Sequence, residues 1–410
     1  KDLPDTIYVD ELIGPDTVNT MPPATMDAVR DHGKVADTLE ADVEGARAVM
    51  ATMQRLGISL DRITEQLVVD GVQLFADAAD QLYAAVARKR AEVLDGKTPR
   101  QKITLGDKAL DGAVAAETEH WRHDGLIRRL WAGDKSLWTG TDEDKWLGWL
   151  HVVEAETAEL DRLEVFAREV QEHGYSDVVL LGMGGSSLGP EVLAETFGPR
   201  QGWPRFHMLD STDPAQVRAI EQAIDVKTTL FIVSSKSGST LEPTIFKQYF
   251  FDRVQQAAGQ AGKHFVAVTD PGSSMEAAAK KDGFAHIFHG VKSIGGRYSV
   301  LSKFGLVPAA AIGLDVRALL GTTQQMVYSC GPDVPPAANP GVQLGIAMGV
   351  LAKHGRDKVT IVASPKIGDI GAWLEQLLAE STGKHGKGLI PVADEPLVPP
   401  ELYGRDRLFA

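Results

Sequence analysis

The chain has 410 residues, of which 43% are hydrophobic and 24% charged, and its formal net charge is −14. This negative charge argues against nucleic acid or an anionic membrane surface as a general partner, and no run of about 18 apolar residues predicts a membrane span. The length predicts two or three domains. Cys330 is the single cysteine, so no internal disulfide can form, which fits a reducing, cytoplasmic compartment.

The first 95 residues are predicted to be mostly helical. Residues 6–13, "TIYVDELI", have the composition of a strand, and residues 24–33 predict a short helix. Residues 57–94 carry apolar side chains such as Leu67 and Phe75 at helical spacing, which predicts one long helix. The chain begins with "KDLPDT" and ends with "RLFA"; we expect it to be a segment of a longer protein.

A polar stretch and a tryptophan-rich stretch follow. Residues 95–115 are weakly periodic and are predicted to be a linker. Five tryptophans then lie between Trp121 and Trp149. We expect them to pack helices onto the next domain, and stacking on a ligand is the alternative.

From residue 150 onward, strands alternate with helices. Continuous apolar strands separated by helices predict a parallel, doubly wound α/β sheet. The predicted strands lie at residues 177–184, 205–211, 229–236, 264–270 and 285–290. A second, incomplete α/β unit is predicted from helices at 341–355 and 371–383 and from strands at 358–364 and 388–394.

Two loops after predicted strands have the composition of anion-binding sites. Residues 182–190, "GMGGSSLGP", form the glycine loop, whose backbone N–H groups can approach a ligand. Its glycines do not match the dinucleotide spacing, since Ser187 stands where the third glycine belongs. Residues 233–240, "VSSKSGST", form the hydroxyl loop, which predicts a phosphate cradle. The alternative is a simple helix N-cap, which needs only one hydroxyl.

Two later stretches carry groups for acid–base chemistry. Arg297 follows two glycines in "SIGGRYSVLS", and Gln376 and Glu380 share one face of a predicted helix. His385 lies in the glycine-rich loop "GKHGKG". No histidine lies in a pattern that completes a metal site, so no metal is predicted.

Taken together, "GMGGSSLGP", "SSKSGSTLEP", "IGGRYSVLS" and "EQLLAESTGKHGKG" resemble the phosphoglucose isomerase family, in the same order along the chain. "TIYVDELIGPDTVNTMPPAT" resembles the last strand and closing helices of transaldolase, so the chain is similar to a fusion of the two. The resemblance implies flavodoxin-like parallel α/β sandwich units of the sugar-isomerase type, preceded by a partial (β/α)8-barrel segment. The implied domains are 1–95 (barrel segment), 96–140 (linker and helical connector), 141–335 (first sugar-isomerase subdomain) and 336–410 (start of the second).

The resemblance also implies an activity and its residues. The expected reaction is interconversion of glucose 6-phosphate and fructose 6-phosphate through a cis-enediol, without a cofactor, by a possible homodimer. The family's residues map onto this sequence as base (Glu380), cation beside the enediolate (Arg297), phosphate ligands (Ser235, Lys236, Ser237, Thr240) and further substrate contacts (Gly185, Ser186, Gln376). No nucleic acid or membrane partner is implied, since the ligands are small sugar phosphates.

Departures from the family pattern leave two alternatives open. The family's ring-opening histidine and late lysine are not found before Ala410, and His385 comes too early for the former. We therefore expect strongly reduced activity on the closed sugar ring. The transaldolase lysine region is not found either, and no aldol transfer is expected from these residues. The alternatives are a non-catalytic sugar-phosphate-binding module and a nicotinamide-dependent dehydrogenase.

Overall fold

The computed structural model of the protein describes residues 3–93 and 101–410. The chain divides into two compact units, one ending at Ala79 and the other beginning at Asp80. Among the described residues, the longest apolar helical stretches fall short of what a membrane crossing needs.

The first unit is helical. It contains α1 (Ile7–Asp10), α2 (Pro23–His32), α3 (Val43–Arg55) and the N-terminal part of α4 (Leu60–Val93). The helices predicted at residues 24–33 and 57–93 are thus confirmed, while residue 94 lies outside the described part of the chain.

The strand predicted at residues 6–13 is wrong, because this segment forms the single turn α1. No strand occurs among residues 3–79, so an extended segment there would leave its backbone groups without a sheet partner. The turn satisfies them locally, since the N–H groups of Val9 and Asp10 both donate to the Thr6 carbonyl. The Thr6 hydroxyl also donates to Asp10 Oδ2 at 2.7 Å.

The second unit holds the remaining helices. They are α5 (Lys108–His123), α6 (Leu126–Trp131), α7 (Val152–Ala158), α8 (Leu160–His173), α9 (Leu188–Phe197), α10 (Pro214–Ala223), α11 (Leu241–Ala258), α12 (Ser274–Lys281), α13 (Lys303–Ala311), α14 (Val316–Ser329), α15 (Pro340–Lys353) and α16 (Ile370–Thr382). The stretch predicted as a linker lies partly outside the described residues, at 95–100, and the rest of it includes the start of α5. The helices predicted at 341–355 and 371–383 are confirmed as α15 and α16.

Five parallel strands form the main sheet, as the apolar runs predict. They are β1 (Asp177–Leu181), β2 (Arg205–Leu209), β3 (Thr229–Ser234), β4 (Phe265–Thr269) and β5 (His286–His289), in the order β2-β1-β3-β4-β5. This is the flavodoxin-like strand order, in which the chain switches direction between β1 and β3. The fold class implied by the resemblance is therefore confirmed for this part of the chain.

The central strands are buried on both faces, which is why they lack polar alternation. Leu180 and Ile232 face one hydrophobic cluster and Leu181 and Val233 face the other. All four side chains have no exposed surface, and burial of each such side chain stabilises the fold by roughly 1.5–3 kcal/mol.

A second, smaller sheet lies near the C-terminus. It contains β6 (Lys358–Thr360), β7 (Ile390–Val392) and β8 (Arg407–Phe409), all parallel, in the order β7-β6-β8. The first two strands were predicted, and β8 was not.

Acidic side chains meet where α9 packs against α16 and the turn at residues 365–367. Burial, together with the nearby carboxylates of Asp369, Asp210 and Glu195, raises the pKa of Glu191 to about 7. Burial also raises the pKa of Asp369, to which Asp394 contributes. The proton on Glu191 therefore stabilises the packing of α9 and α16.

We expect this cluster to make stability depend on pH. Because the folded state raises the pKa of Glu191, its contribution is fully present below the unfolded value of about 4.5 and is lost as the pH rises through about 7. Glu191→Gln should then stabilise the protein by about 1–3 kcal/mol at pH 8 and by much less at pH 5. Thermal melting at the two pH values measures the difference. Glu172→Gln, at an exposed position of α8 and outside the cluster, is the control; equal gains from both variants would contradict the assignment.

Candidate active site

The candidate site lies at the switch point of the main sheet. The glycine loop follows β1 and the hydroxyl loop follows β3, and these two strands are direct neighbours. In an open parallel sheet, ligands bind beyond the carboxyl ends of the strands at this point. The topology therefore brings together the two loops that the sequence singles out.

The hydroxyl loop presents a buried hydroxyl group with no partner. Ser235 is 2% exposed, and its Oγ has no hydrogen-bond partner among the residues that the structure describes. An unsatisfied buried hydroxyl costs roughly 1–3 kcal/mol, which a ligand oxygen would remove. The loop turns at Gly238, which has a φ of +70°, and it is fixed there because the Ser274 hydroxyl donates to the Gly238 carbonyl at 2.6 Å.

The hydroxyl loop does not act as a simple helix cap. Thr240 occupies the N-cap position of α11, but its side chain makes no capping hydrogen bond. Ser237 is exposed, and its Oγ lies 2.8 Å from Ser239 Oγ. The hydroxyl groups of this loop are therefore not used to cap the helix that follows.

The ammonium group of Lys236 contacts two other segments of the chain. Its Nζ lies 2.5 Å from Asp270 Oδ2 and donates to the Val291 carbonyl at 3.1 Å. The Asp270 N–H in turn donates to the Lys236 carbonyl at 3.1 Å. The ammonium group thus ties the hydroxyl loop to the chain segments after β4 and β5.

The glycine loop packs directly on the turn that carries Arg297. A Cβ atom on Gly185 would lie 2.3 Å from the carbonyl carbon of Gly296 and 2.5 Å from the Arg297 nitrogen. Gly184 has a φ of +52°, and a Cβ there would lie 2.9 Å from Gln376 Nε2. Only glycine permits the approach to the backbone at Gly185, and at Gly184 it is the positive φ that favours glycine.

Ser186, predicted to contact substrate, lies in the same short 3-10 turn and is 8% exposed. The glycine loop therefore lies close to the turn that carries Arg297 and to the Gln376 amide group.

Arg297 and Glu380 form an ion pair beside the glycine loop. Arg297 Nη1 lies 2.9 Å from Glu380 Oε1, and their side chains are 23% and 51% exposed. Glu380 lies in the last turn of α16, four residues after Gln376. The Gln376 amide oxygen is buried and has no hydrogen-bond partner among the described residues. The helix α16 therefore carries both the carboxylate that pairs with Arg297 and a buried amide oxygen without a partner among the described residues.

The groups that hold the Arg297–Glu380 pair in place were not predicted from the sequence. Ser381 accepts a hydrogen bond from Arg297 Nε at 2.8 Å, and Tyr298 OH lies 2.9 Å from the same Ser381 oxygen. Trp373 Nε1 donates to the Arg297 carbonyl at 3.1 Å. Ser381 and Tyr298 each follow a predicted site residue in the sequence, and that adjacency was the available clue.

His120, His123 and His385 all lie at exposed positions. His385 has a φ of +52° and is exposed, in a tight turn where Lys384 and Lys387 pair. His120 and His123 lie at the surface beside carboxylates. Within residues 3–93 and 101–410, no group of three potential metal ligands comes together.

The fold and the loops define an α/β protein of the sugar-isomerase type. The family model described as phosphoglucose isomerase matches residues 158–387, which is more than half of the chain. The chain therefore belongs to the phosphoglucose isomerase family. A second family model, transaldolase/fructose-6-phosphate aldolase, matches residues 1–86, as expected for a fusion of the two.

Curated relatives and a solved structure support the same relationship. Glucose-6-phosphate isomerase of Rubrobacter xylanophilus is 36% identical over 242 residues, covering 56% of this chain and 55% of the relative. The probable glucose-6-phosphate isomerase of Methanococcus maripaludis is 32% identical, covering 53% and 50%. Hypothetical protein TT0462 of Thermus thermophilus superimposes with a TM-score of 0.59 at 27% identity, covering 70% of this chain and 68% of that one. The chain spans about half the length of the curated relatives that it matches.

Proposed function

We propose that the protein interconverts glucose 6-phosphate and fructose 6-phosphate. The observation that carries this proposal is the Arg297–Glu380 pair, because the Arg297 backbone packs on the glycine loop and Glu380 lies on the helix that also carries Gln376. A carboxylate and a fixed cation at one position are the two groups that proton transfer next to a carbonyl needs.

The proposed reaction moves one proton between two carbons. In the open-chain aldose, Glu380 takes the proton from C2, and the electron pair left on carbon forms a cis-enediolate with the C1 carbonyl. Arg297 stabilises the negative charge that develops on the oxygen. Glu380 then returns the proton to C1, while the proton of the C2 hydroxyl group passes to the C1 oxygen, which leaves a carbonyl at C2 and gives the ketose. The oxidation level of the whole sugar is unchanged, so the step needs no external oxidant or reductant.

The hydroxyl loop is proposed to hold the phosphate group. The buried, unpaired Ser235 hydroxyl supports this role, together with the hydroxyl groups of Ser237 and Thr240. Lys236 contributes by fixing the loop through Asp270, since its ammonium group is already paired there. Gly185 and Ser186 are proposed to contact the sugar through the glycine loop.

The test is exchange of a carbon-bound proton with solvent. Incubation of the chain with fructose 6-phosphate in D₂O should introduce deuterium at the position next to the carbonyl, which NMR detects directly. Exchange together with formation of glucose 6-phosphate supports the isomerase. Binding of the sugar phosphate without any exchange would support the non-catalytic binding module instead.

A change in the hydroxyl loop should separate binding from folding. We expect Ser237→Ala combined with Thr240→Ala to weaken binding of fructose 6-phosphate about 10-fold or more, because charge-assisted hydrogen bonds contribute roughly 1.5–3 kcal/mol each. Neither hydroxyl supports the helix that follows, so the melting temperature should change little. Calorimetric titration measures the affinity. Ser211→Ala, in the loop after β2, is the control, and unchanged affinity in the double variant would exclude a phosphate cradle.

We also propose that residues 1–86 belong to a transaldolase activity of the same protein, which the second family match supports. Assay of the complete protein for transfer of a three-carbon unit between sugar phosphates tests this. We further propose a cytoplasmic homodimer, as the resemblance implies; sedimentation analysis would distinguish it from a monomer.

A further inference from the structure

The guanidinium group of Arg297 is held along two of its edges. Nη1 donates to Glu380 Oε1 at 2.9 Å, and Nε donates to Ser381 Oγ at 2.8 Å. Both acceptors belong to consecutive residues of the last turn of α16. The Glu380 carboxylate is charged and the Ser381 hydroxyl group is neutral. Transfer of a proton to Glu380 therefore affects the two hydrogen bonds differently.

The Ser381 hydroxyl is itself fixed by a second group. Tyr298 OH lies 2.9 Å from Ser381 Oγ, and the Tyr298 ring stacks on Trp149 with centroids 5.7 Å apart and an interplanar angle of 21°. The Arg297 guanidinium lies over the same tyrosine ring, 5.4 Å from its centroid. A rigid aromatic pair thus determines where the serine oxygen lies.

The reaction changes one of these two bonds and leaves the other unchanged. When Glu380 takes the proton, its carboxyl group becomes neutral, and the negative charge moves to the substrate oxygen. The bond between Arg297 and Glu380 then loses the negative charge of its acceptor and becomes weaker. Ser381 is neutral throughout, so its bond to Nε is the same before and after the transfer.

We propose that Ser381 is a positioning residue that keeps Arg297 in place while its terminal nitrogens change partner from Glu380 to the enediolate. Tyr298 is the group that fixes Ser381. This inference rests on the proposed function, because the enediolate is the intermediate of that reaction. In this proposal Ser381 contributes to the stability of the transition state and does not contribute to substrate binding in the ground state.

The experiment compares three variants of the full chain. Ser381→Ala should lower kcat about 10-fold with KM within about twofold of the original, since an interaction needed only in the transition state is lost. Ser381→Thr retains the hydroxyl and should restore most of kcat. Tyr298→Phe, which keeps the ring and leaves α16 untouched, should lower kcat in the same way but by less.

A matched control shows how loss of a serine hydroxyl group at a helix end affects kcat by itself. Ser329 occupies the last turn of α14, and its Oγ donates to the Gln325 carbonyl at 2.9 Å. Ser329→Ala should leave kcat unchanged. If Ser381→Ala lowers only the melting temperature, or raises KM with kcat unchanged, the positioning role is wrong.

A readout without turnover separates this inference from the proposed function. The Nε–H proton of Arg297 should exchange slowly with solvent in NMR spectra of the original chain and at least several-fold faster in Ser381→Ala. Slow exchange in both proteins would overturn the inference whatever the activity. If the chain does not isomerise fructose 6-phosphate, the proposed function fails, while the proton-exchange result still decides whether Ser381 fixes Arg297.

Discussion

Glu380→Gln should lower both isomerisation and the exchange of the carbon-bound proton by at least about 10²-fold, because a positioned general base typically contributes that much. Glutamine has nearly the same shape and can still accept a hydrogen bond from Arg297, so the geometry of the turn should survive. Affinity for fructose 6-phosphate should therefore change little. NMR exchange rates in D₂O and calorimetric titration measure the two effects separately.

The matched control for this change is Glu375→Gln. Glu375 lies on the same helix and is exposed, and it makes no contact with Arg297. Its replacement should leave the exchange rate unchanged. Exchange that survives in Glu380→Gln would show that another group is the base.

The main sheet could be predicted because its strands satisfy a simple physical condition. β1 and β3 lie between two layers of helices, so nearly every residue is apolar, and the strand pattern is continuous in the sequence. The strand order came from the family resemblance, since hydrophobic patterns do not say which strands are neighbours.

The errors occur where pairing with distant residues decides the structure. Residues 6–13 have the composition of a strand but lack a partner, and the turn α1 forms instead. β8 has three residues, and its extended form depends on pairing with β6, 49 positions earlier in the chain. A short segment carries too few residues to show a period of its own.

A buried ion pair was not predicted from the sequence either, because its two residues lie far apart in the chain. Lys303 is 2% exposed in the otherwise apolar helix α13, and its ammonium group pairs with Glu156, which is 4% exposed. Glu159 lies 3.0 Å from the same nitrogen. The partners lie 147 positions apart, so neither sequence segment reveals that the other neutralises it.

The residues of the candidate site were easier to predict from the sequence than the groups that hold them in place. Residue type and strand position indicated the hydroxyl loop without knowledge of contacts, because anion binding demands particular groups, whereas the roles of Arg297 and Glu380 came from the family resemblance. The pairing of the Lys236 ammonium group with Asp270 was not predicted from the sequence. The lysine's position in the loop is visible in the sequence, but the direction of its side chain depends on an aspartate that follows a different strand.

Arg297→Ala is expected to have the second large effect. Loss of the cation should lower kcat by about 10²–10³-fold, because a fixed donor beside a developing oxyanion contributes that much. The stability of the fold should change little, since the side chain is partly exposed and paired at the surface of the site. Steady-state kinetics measure kcat and KM separately.

The comparison with Arg297→Lys identifies which property of arginine matters. Lysine restores the charge but lacks the planar group that bonds Ser381 and Glu380 on two edges at once. We therefore expect Arg297→Lys to recover only part of the lost rate, while Arg317→Ala, at an exposed surface pair with Glu164, has no effect. Full recovery by lysine would mean that the positive charge alone is sufficient. The simultaneous hydrogen bonds to Ser381 and Glu380 would then contribute nothing to the rate. A rise in KM with kcat unchanged would instead place Arg297 in ground-state binding, since an interaction confined to the transition state changes kcat.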